Sequence, residues 1–195
     1  MLAAGLSRRM GAQKLLLPLA DGRTILETVL ERMAAAGCDE VVAVVSDPVL
    51  RGLPRLADRA RIVRNPCPEE GQSGSLRLGL GAIPAGEAFC LMLGDLPCVA
   101  AAQVEAYLRR FEERAPGLSA LVPRRDGVFG HPSFFSGVWR GRMLDASGDV
   151  GGRAVILRYA DEVLWTDGED GFFRDVDTPD DYAGLLREAE GGAPA

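Results

Sequence analysis

Five apolar residues in succession, Val41-Val42-Ala43-Val44-Val45, constrain this chain more than any other stretch. A strand with one wet face alternates apolar and polar residues. An unbroken β-branched run has to be covered on both faces, as in a parallel sheet. A second such run, Phe89-Cys90-Leu91-Met92-Leu93, stops at Gly94-Asp95. Arg61–Val63, Ser119–Val122, Glu162–Thr166 and Phe172–Val176 add shorter expected strands. Helical patterns separate them. Thr24-Ile25-Leu26-Glu27 is a capping box opening a helix that ends near Gly37. Helices are also expected over about 49–60, 75–80, 104–113 and 151–159. A last one starts with Thr178 as N-cap and Pro179 at the first turn.

Strands alternating with helices predict a single three-layer α/β/α domain over residues 1–190, with a mostly parallel, mixed Rossmann-like sheet. Residues 191–195 read as a flexible tail. In such a sheet ligands bind beyond the carboxyl ends of the strands, so the loops there are the ones to inspect.

Composition narrows the partners. A net charge of −6 supplies no general footprint for nucleic acid. No apolar run reaches the length of a membrane span. Cys38, Cys67, Cys90 and Cys98 show no metal-binding spacing, and they read as reduced thiols of a cytoplasmic protein. Of 22 basic residues only Lys14 is a lysine. It ends the loop Leu2-Ala3-Ala4-Gly5-Leu6-Ser7-Arg8-Arg9-Met10-Gly11-Ala12-Gln13-Lys14, whose small residues let backbone N–H groups approach an anion. Arg9 and Lys14 add cations to that loop.

Five further loops could carry chemistry. Asp95 in Leu93-Gly94-Asp95-Leu96-Pro97 follows a buried strand, where a carboxylate can hold Mg²⁺ or merely close a turn. Asp175 and Asp177 share a side at period two, with Asp177 nearer the ligand edge; both could equally complement the next helix N-terminus. Gly130-His131-Pro132 holds the only histidine. Gly148-Asp149-Val150-Gly151-Gly152-Arg153 reads as a loop-to-helix anion site, and Glu70-Gly71-Gln72-Ser73-Gly74-Ser75 places small polar groups before a helix.

Taken in order, LAAGLSRRMGAQK, GQSGSL, GDLP, GHP, GDVGGR and DVDTPDDY resemble the MobA-like nucleotidyltransferases, and most closely their molybdenum cofactor cytidylyltransferase branch. The resemblance implies CMP transfer from CTP to the phosphate of the molybdopterin (molybdenum) cofactor, with release of pyrophosphate. It implies nucleotide contacts from Leu2, Ala3, Ala4, Gly5, Arg9, Lys14, Gly71, Ser75 and Gly94, with Arg9 and Lys14 neutralising the triphosphate. Asp95 and Asp177 are then the ligands of Mg²⁺ or Mn²⁺, and His131, Asp149 and Arg153 belong to the acceptor side. LAAG in place of LAGG points to CTP over GTP, because the Ala4 methyl narrows the base edge. A molybdoenzyme of the hydroxylase type is the implied recipient. Other readings are a GTP-using enzyme, a sugar-1-phosphate or isoprenoid-precursor nucleotidyltransferase, and a cofactor-binding protein without turnover.

The family places a central strand before the LAAG loop, and here only Met1 precedes Leu2. The expectation is therefore a sheet without its first strand, at roughly 1–3 kcal/mol for each buried backbone group left unpaired.

Overall fold

A computed structural model describes residues 1–144 and 151–191. The strands are β1 (Leu2–Ala3), β2 (Val42–Val45), β3 (Arg61–Arg64), β4 (Gly86–Leu91), β5 (Ala120–Arg125), β6 (Val128–Phe129), β7 (Ser133–Gly137) and β8 (Val163–Thr166). The helices are α1 (Ile25–Ala35), α2 (Asp47–Gly52), α3 (Gln72–Ala82), α4 (Ala101–Glu112), α5 (Val138–Leu144), α6 (Gly151–Arg158) and α7 (Pro179–Gly191).

The first strand is present, contrary to expectation, as a two-residue piece. Leu2 and Ala3 pair in parallel with Val44 and Val45, and Leu2 also bridges Leu93 beyond β4. Leu2 N–H donates to Met92 O at 2.8 Å, and Gly94 N–H donates to Leu2 O at 2.9 Å. These bonds supply the partners whose loss was expected to be costly. The strand order is thus β3-β2-β1-β4-β7-β5-β8, with the β6 hairpin on the far end of β5. β1 to β5 and β8 all run one way, while β6 and β7 run against them.

Period two sorts the strand side chains into two layers. Leu121 and Phe134 join α1 and α4 through Val29, Met33, Val104 and Phe111. Their neighbours Ala120, Val122 and Phe135 join α3, α5 and α6 through Leu80, Trp139 and Ile156. Ala43 and Val45 pack on α1 and α7 by way of Leu26, Leu30 and Leu185. The result is a three-layer α/β/α Rossmann-like sandwich. Among the described residues, no helix is long and apolar enough to cross a membrane.

The capping box forms as read, with Thr24 Oγ1 accepting from Glu27 N–H and Glu27 Oε2 accepting from Thr24 N–H. Two expectations are corrected. The helix over 49–60 is two pieces, α2 and a 3₁₀ turn at Leu56–Asp58, because Pro54 keeps Leu53 out of helical geometry. The strand over 172–176 is a 3₁₀ turn at Asp170–Phe173 followed by irregular chain. There Phe172 is buried edge-on against Tyr107, at 4.8 Å between ring centres, and takes the chain out of sheet register. The β6–β7 pair and α5 were not anticipated. Of the expected tail, only Gly191 lies within the described residues, as the last residue of α7.

Candidate active site

At the carboxyl edge of the sheet lies a cleft of about 460 Å³. β1 delivers its first wall. Ala3 and Ala4 are buried at the strand end, and the chain then loops out to Lys14. Gln13 folds that loop on itself: its Nε2 donates to Gly5 O at 3.1 Å, and its Oε1 accepts from Ser7 Oγ at 2.8 Å. Ser7 Oγ in turn accepts from Lys14 N–H at 3.1 Å, and Ser7 adopts a φ of 50°. Sequence reading missed Gln13, since only the folded loop shows what it ties together.

The opposite wall comes from the end of β4 and from residues 175–177. Val176 N–H donates to Asp95 O at 3.0 Å, which joins the two acidic loops directly. His131 N–H donates to Phe172 O at 3.0 Å and steadies the same segment. Behind Asp95, Arg32 of α1 donates to Val99 O at 3.0 Å and also to Pro97 O. The floor is the start of α3, where Gly71 has a φ of 87° and Ser75 faces the cleft.

Charged side chains meet in the cleft. Lys14 Nζ lies 2.6 Å from Asp95 Oδ2 and 2.5 Å from Asp177 Oδ1, and its side chain is only 8% exposed. Arg9 reaches the other Asp177 oxygen at 2.5 Å. Burial alone would lower the Lys14 pKa; the charges of Asp95 and Asp177 and their hydrogen bonds outweigh it, and the ammonium is held above its ordinary value. The hydrogen bond from Lys14 holds the Asp177 carboxyl below the usual range. Asp175 shifts the other way: partial desolvation of its carboxyl and the charges of Asp177 and Asp95 push it up.

One oxygen from each of Asp95, Asp175 and Asp177 lies within 4.8 Å of the other two. Asp95 Oδ1 is buried and has no hydrogen-bond partner among the described residues. A hard, all-oxygen donor set with one carboxylate oxygen unused fits a divalent cation of the Mg²⁺ or Mn²⁺ kind. Asp175 is the third member of that set. Its period-two relation to Asp177 is visible in the sequence, but its nearness to Asp95 is not.

Most of the expected nucleotide residues converge. Leu2, Ala3, Ala4, Gly5, Arg9, Lys14, Gly71, Ser75, Asp95 and Asp177 all line the cleft. Gly94 lies behind it, where a Cβ would come within 3.0 Å of the Ala3 Cβ. His131 sits beyond Asp95 with Nδ1 3.2 Å from Leu91 O, and burial lowers its imidazole pKa. Arg153 lies apart, donating to Gly127 O at 3.1 Å and stacking over Phe129. Asp149 falls outside the described residues.

Known proteins match along nearly the whole chain. The MobA-like NTP transferase domain matches residues 1–163. The molybdenum cofactor cytidylyltransferase of Escherichia coli is 28% identical over 185 residues, covering 92% of this chain and 90% of that protein. Rv0371c of Mycobacterium tuberculosis, solved as a complex with manganese, is 29% identical with a TM-score of 0.68, over 95% of each chain. A nucleotidyl transferase from Methanothermobacter shares the fold at a TM-score of 0.79 and 23% identity, covering 98% of this chain and 96% of that one. With its glycine-bearing loop, paired cations and acidic cluster set at one sheet edge, this chain belongs to the MobA-like NTP transferase domain family, and it is a nucleotidyltransferase.

Proposed function

We propose that the chain moves CMP from CTP to the phosphate of the molybdopterin (molybdenum) cofactor and releases pyrophosphate. The observation that carries this reading is the grouping of Lys14 and Arg9 with Asp95, Asp175 and Asp177 in one cleft. Transfer at an α-phosphate needs fixed positive charge around the reacting oxygens and no covalent protein nucleophile. In the step, a phosphate oxygen of the acceptor bonds to the α-phosphorus of CTP. The bond from that phosphorus to the bridging oxygen breaks, and its electron pair leaves with pyrophosphate.

The chain's own groups have separable parts in this. Backbone N–H groups of the Ala3–Gly5 turn approach the nucleotide. Lys14 and Arg9, which are paired with the acids, also face the triphosphate. Asp95, Asp175 and Asp177 would hold Mg²⁺ or Mn²⁺, which supplies charge withdrawal from the phosphate oxygens. The manganese in the Rv0371c complex supports the choice of metal. The cytidylyltransferase named among the relatives, together with the Ala4 methyl at the base edge, supports CTP. His131, Asp149 and Arg153 are assigned to the acceptor side, and a hydroxylase-type molybdoenzyme to the recipient.

Pyrophosphate release, measured with a panel of nucleoside triphosphates and purified cofactor, tests the reading. CTP with the molybdenum cofactor is expected to turn over fastest. Faster turnover of GTP would overturn the base assignment. Turnover of a sugar phosphate or methylerythritol phosphate alone would overturn the acceptor. Binding without pyrophosphate would leave a cofactor-binding protein.

A further inference from the structure

Gln13 lies outside the cleft, whereas Gly5, Leu6 and Ser7 line it. Its side-chain amide nonetheless holds both ends of that stretch. Nε2 donates to Gly5 O at 3.1 Å, and Oε1 accepts from Ser7 Oγ at 2.8 Å and from Leu15 N–H at 3.5 Å. A carbonyl oxygen only accepts, so the atom facing Gly5 O has to be the amide nitrogen, and the amide has a single sense. Ser7 Oγ meanwhile accepts from Lys14 N–H at 3.1 Å, which leaves its own hydrogen for Gln13.

Two consequences reach the cleft. The carbonyl and the N–H of a trans peptide point in opposite directions. With Gly5 O drawn to Gln13 outside the cleft, the N–H of Leu6 in the same peptide is turned toward it. That N–H makes no hydrogen bond among the described residues. A reversed peptide would instead present the Gly5 carbonyl, a partial negative charge, to an anionic ligand. The second consequence is at Ser7, whose φ of 50° is a left-handed conformation that persists in a residue with a Cβ only where its surroundings enforce it. The contacts of Ser7 Oγ with Gln13 and Lys14 supply that enforcement.

We propose that Gln13 is a positioning residue: it orients the Gly5–Leu6 peptide so that the Leu6 N–H is a fixed donor to the phosphate chain of the bound nucleotide. The proposal rests on the reading that this loop meets the nucleotide, and not on which base is carried, since CTP and GTP share the same triphosphate.

Gln13→Met removes both amide contacts at nearly constant length and adds no charge. Affinities of the full chain for CTP and GTP, each with Mg²⁺, are measured by calorimetry, and the Leu6 amide is followed by ¹⁵N–¹H magnetic resonance. In the natural chain the Leu6 amide proton should move downfield on saturation with the tighter-binding nucleotide, as an N–H gaining a charged acceptor does. In Gln13→Met that shift should be lost, and both affinities should fall by a similar factor, on the order of tenfold, the worth of one hydrogen bond. Mn²⁺ affinity without nucleotide should not change, because the carboxylates come from the opposite wall. A parallel fall in Mn²⁺ affinity would make Gln13 a support of the whole site and overturn the proposal. Should Gln13→Met fail to fold, Gln13→Glu keeps the contact to Ser7 and loses only the one to Gly5 O, and it should lose the Leu6 shift in the same way. A Leu6 amide that stays in place while those of Ala4 and Gly5 move, or that shifts as far in a folded variant, would overturn the role of Gln13 and leave the nucleotide reading standing. Nucleotide binding that moves none of the amides of residues 3–7, or no binding of either nucleotide, would overturn that reading and the proposal together.

Discussion

Lys14 Nζ and Asp177 Oδ1 lie 2.5 Å apart across 163 residues of sequence, so a cation and an acid each expected to meet the substrate also meet each other. The pair keeps the buried Lys14 ammonium compensated. Lys14→Ala is expected to lower kcat/KM by a factor on the order of 10²–10³. Lys14→Arg should not restore it fully, because a planar fork cannot reach both acids as a compact ammonium does. Lys14 is the only lysine, so CTP with Mg²⁺ should protect the chain's one side-chain amine from an amine-selective reagent. Undiminished turnover by Lys14→Ala, with no protection, would remove the residue from the site.

Asp175 is held against two like charges and partly desolvated. Asp175→Asn should therefore raise the melting temperature of the metal-free protein while weakening Mn²⁺ binding. Thermal unfolding and Mn²⁺ titration by electron paramagnetic resonance read the two effects separately. A lower melting temperature with unchanged Mn²⁺ binding would mean that Asp175 supports the fold and not the metal.

Arg32 gives its guanidinium to carbonyls of Pro97 and Val99, just past Asp95, and among the described residues it forms no ion pair with a carboxylate. Arg32→Met should cost roughly 1–3 kcal/mol in urea unfolding through the carbonyls left unpaired. Because the loop it braces carries Asp95, metal affinity should fall along with stability, and CTP affinity should fall less.

Glu162 links β8, β5 and α5. It accepts from Arg142 at 2.8 and 2.9 Å and from Ser119 Oγ at 2.6 Å. The Arg142 bonds, with Ser119 second, hold its carboxyl below the ordinary 4.5. A depressed folded value means stability that is complete above pH 4.5 and lost as pH falls through the folded value. The unfolding free energy of the natural chain should therefore drop more steeply in acid than that of Glu162→Gln. Parallel curves for the two would discount the network.

Legibility in the sequence followed how local the cause was. The Thr24–Glu27 box and the start of α7 at Thr178-Pro179 are settled within four residues, and both could be read directly. The unbroken run over Val41–Val45 announced a doubly covered strand for the same reason. Phe172–Val176 has a strand's composition, but its shape is decided by Tyr107 and Asp95, about 65 and 80 residues away. β1 is two residues long, too short for any periodicity, and only its two neighbours define it. In the site, the order of motifs located both acidic loops. The Asp175 and Gln13 contacts depend on how loops close, which residue type alone does not specify.

β7 runs against its neighbours, so it brings its beginning to the edge where the parallel strands end. Parallel strands feed loops that can lengthen freely before the next helix, as the stretch after β1 does. β7 is instead tied to β6 by only Gly130, His131 and Pro132, and His131 N–H is fastened to Phe172 O. Insertions that retune substrate choice are therefore tolerable after β1 and β3, whereas residues 130–132 act as a fixed jaw against which any enlarged loop has to close.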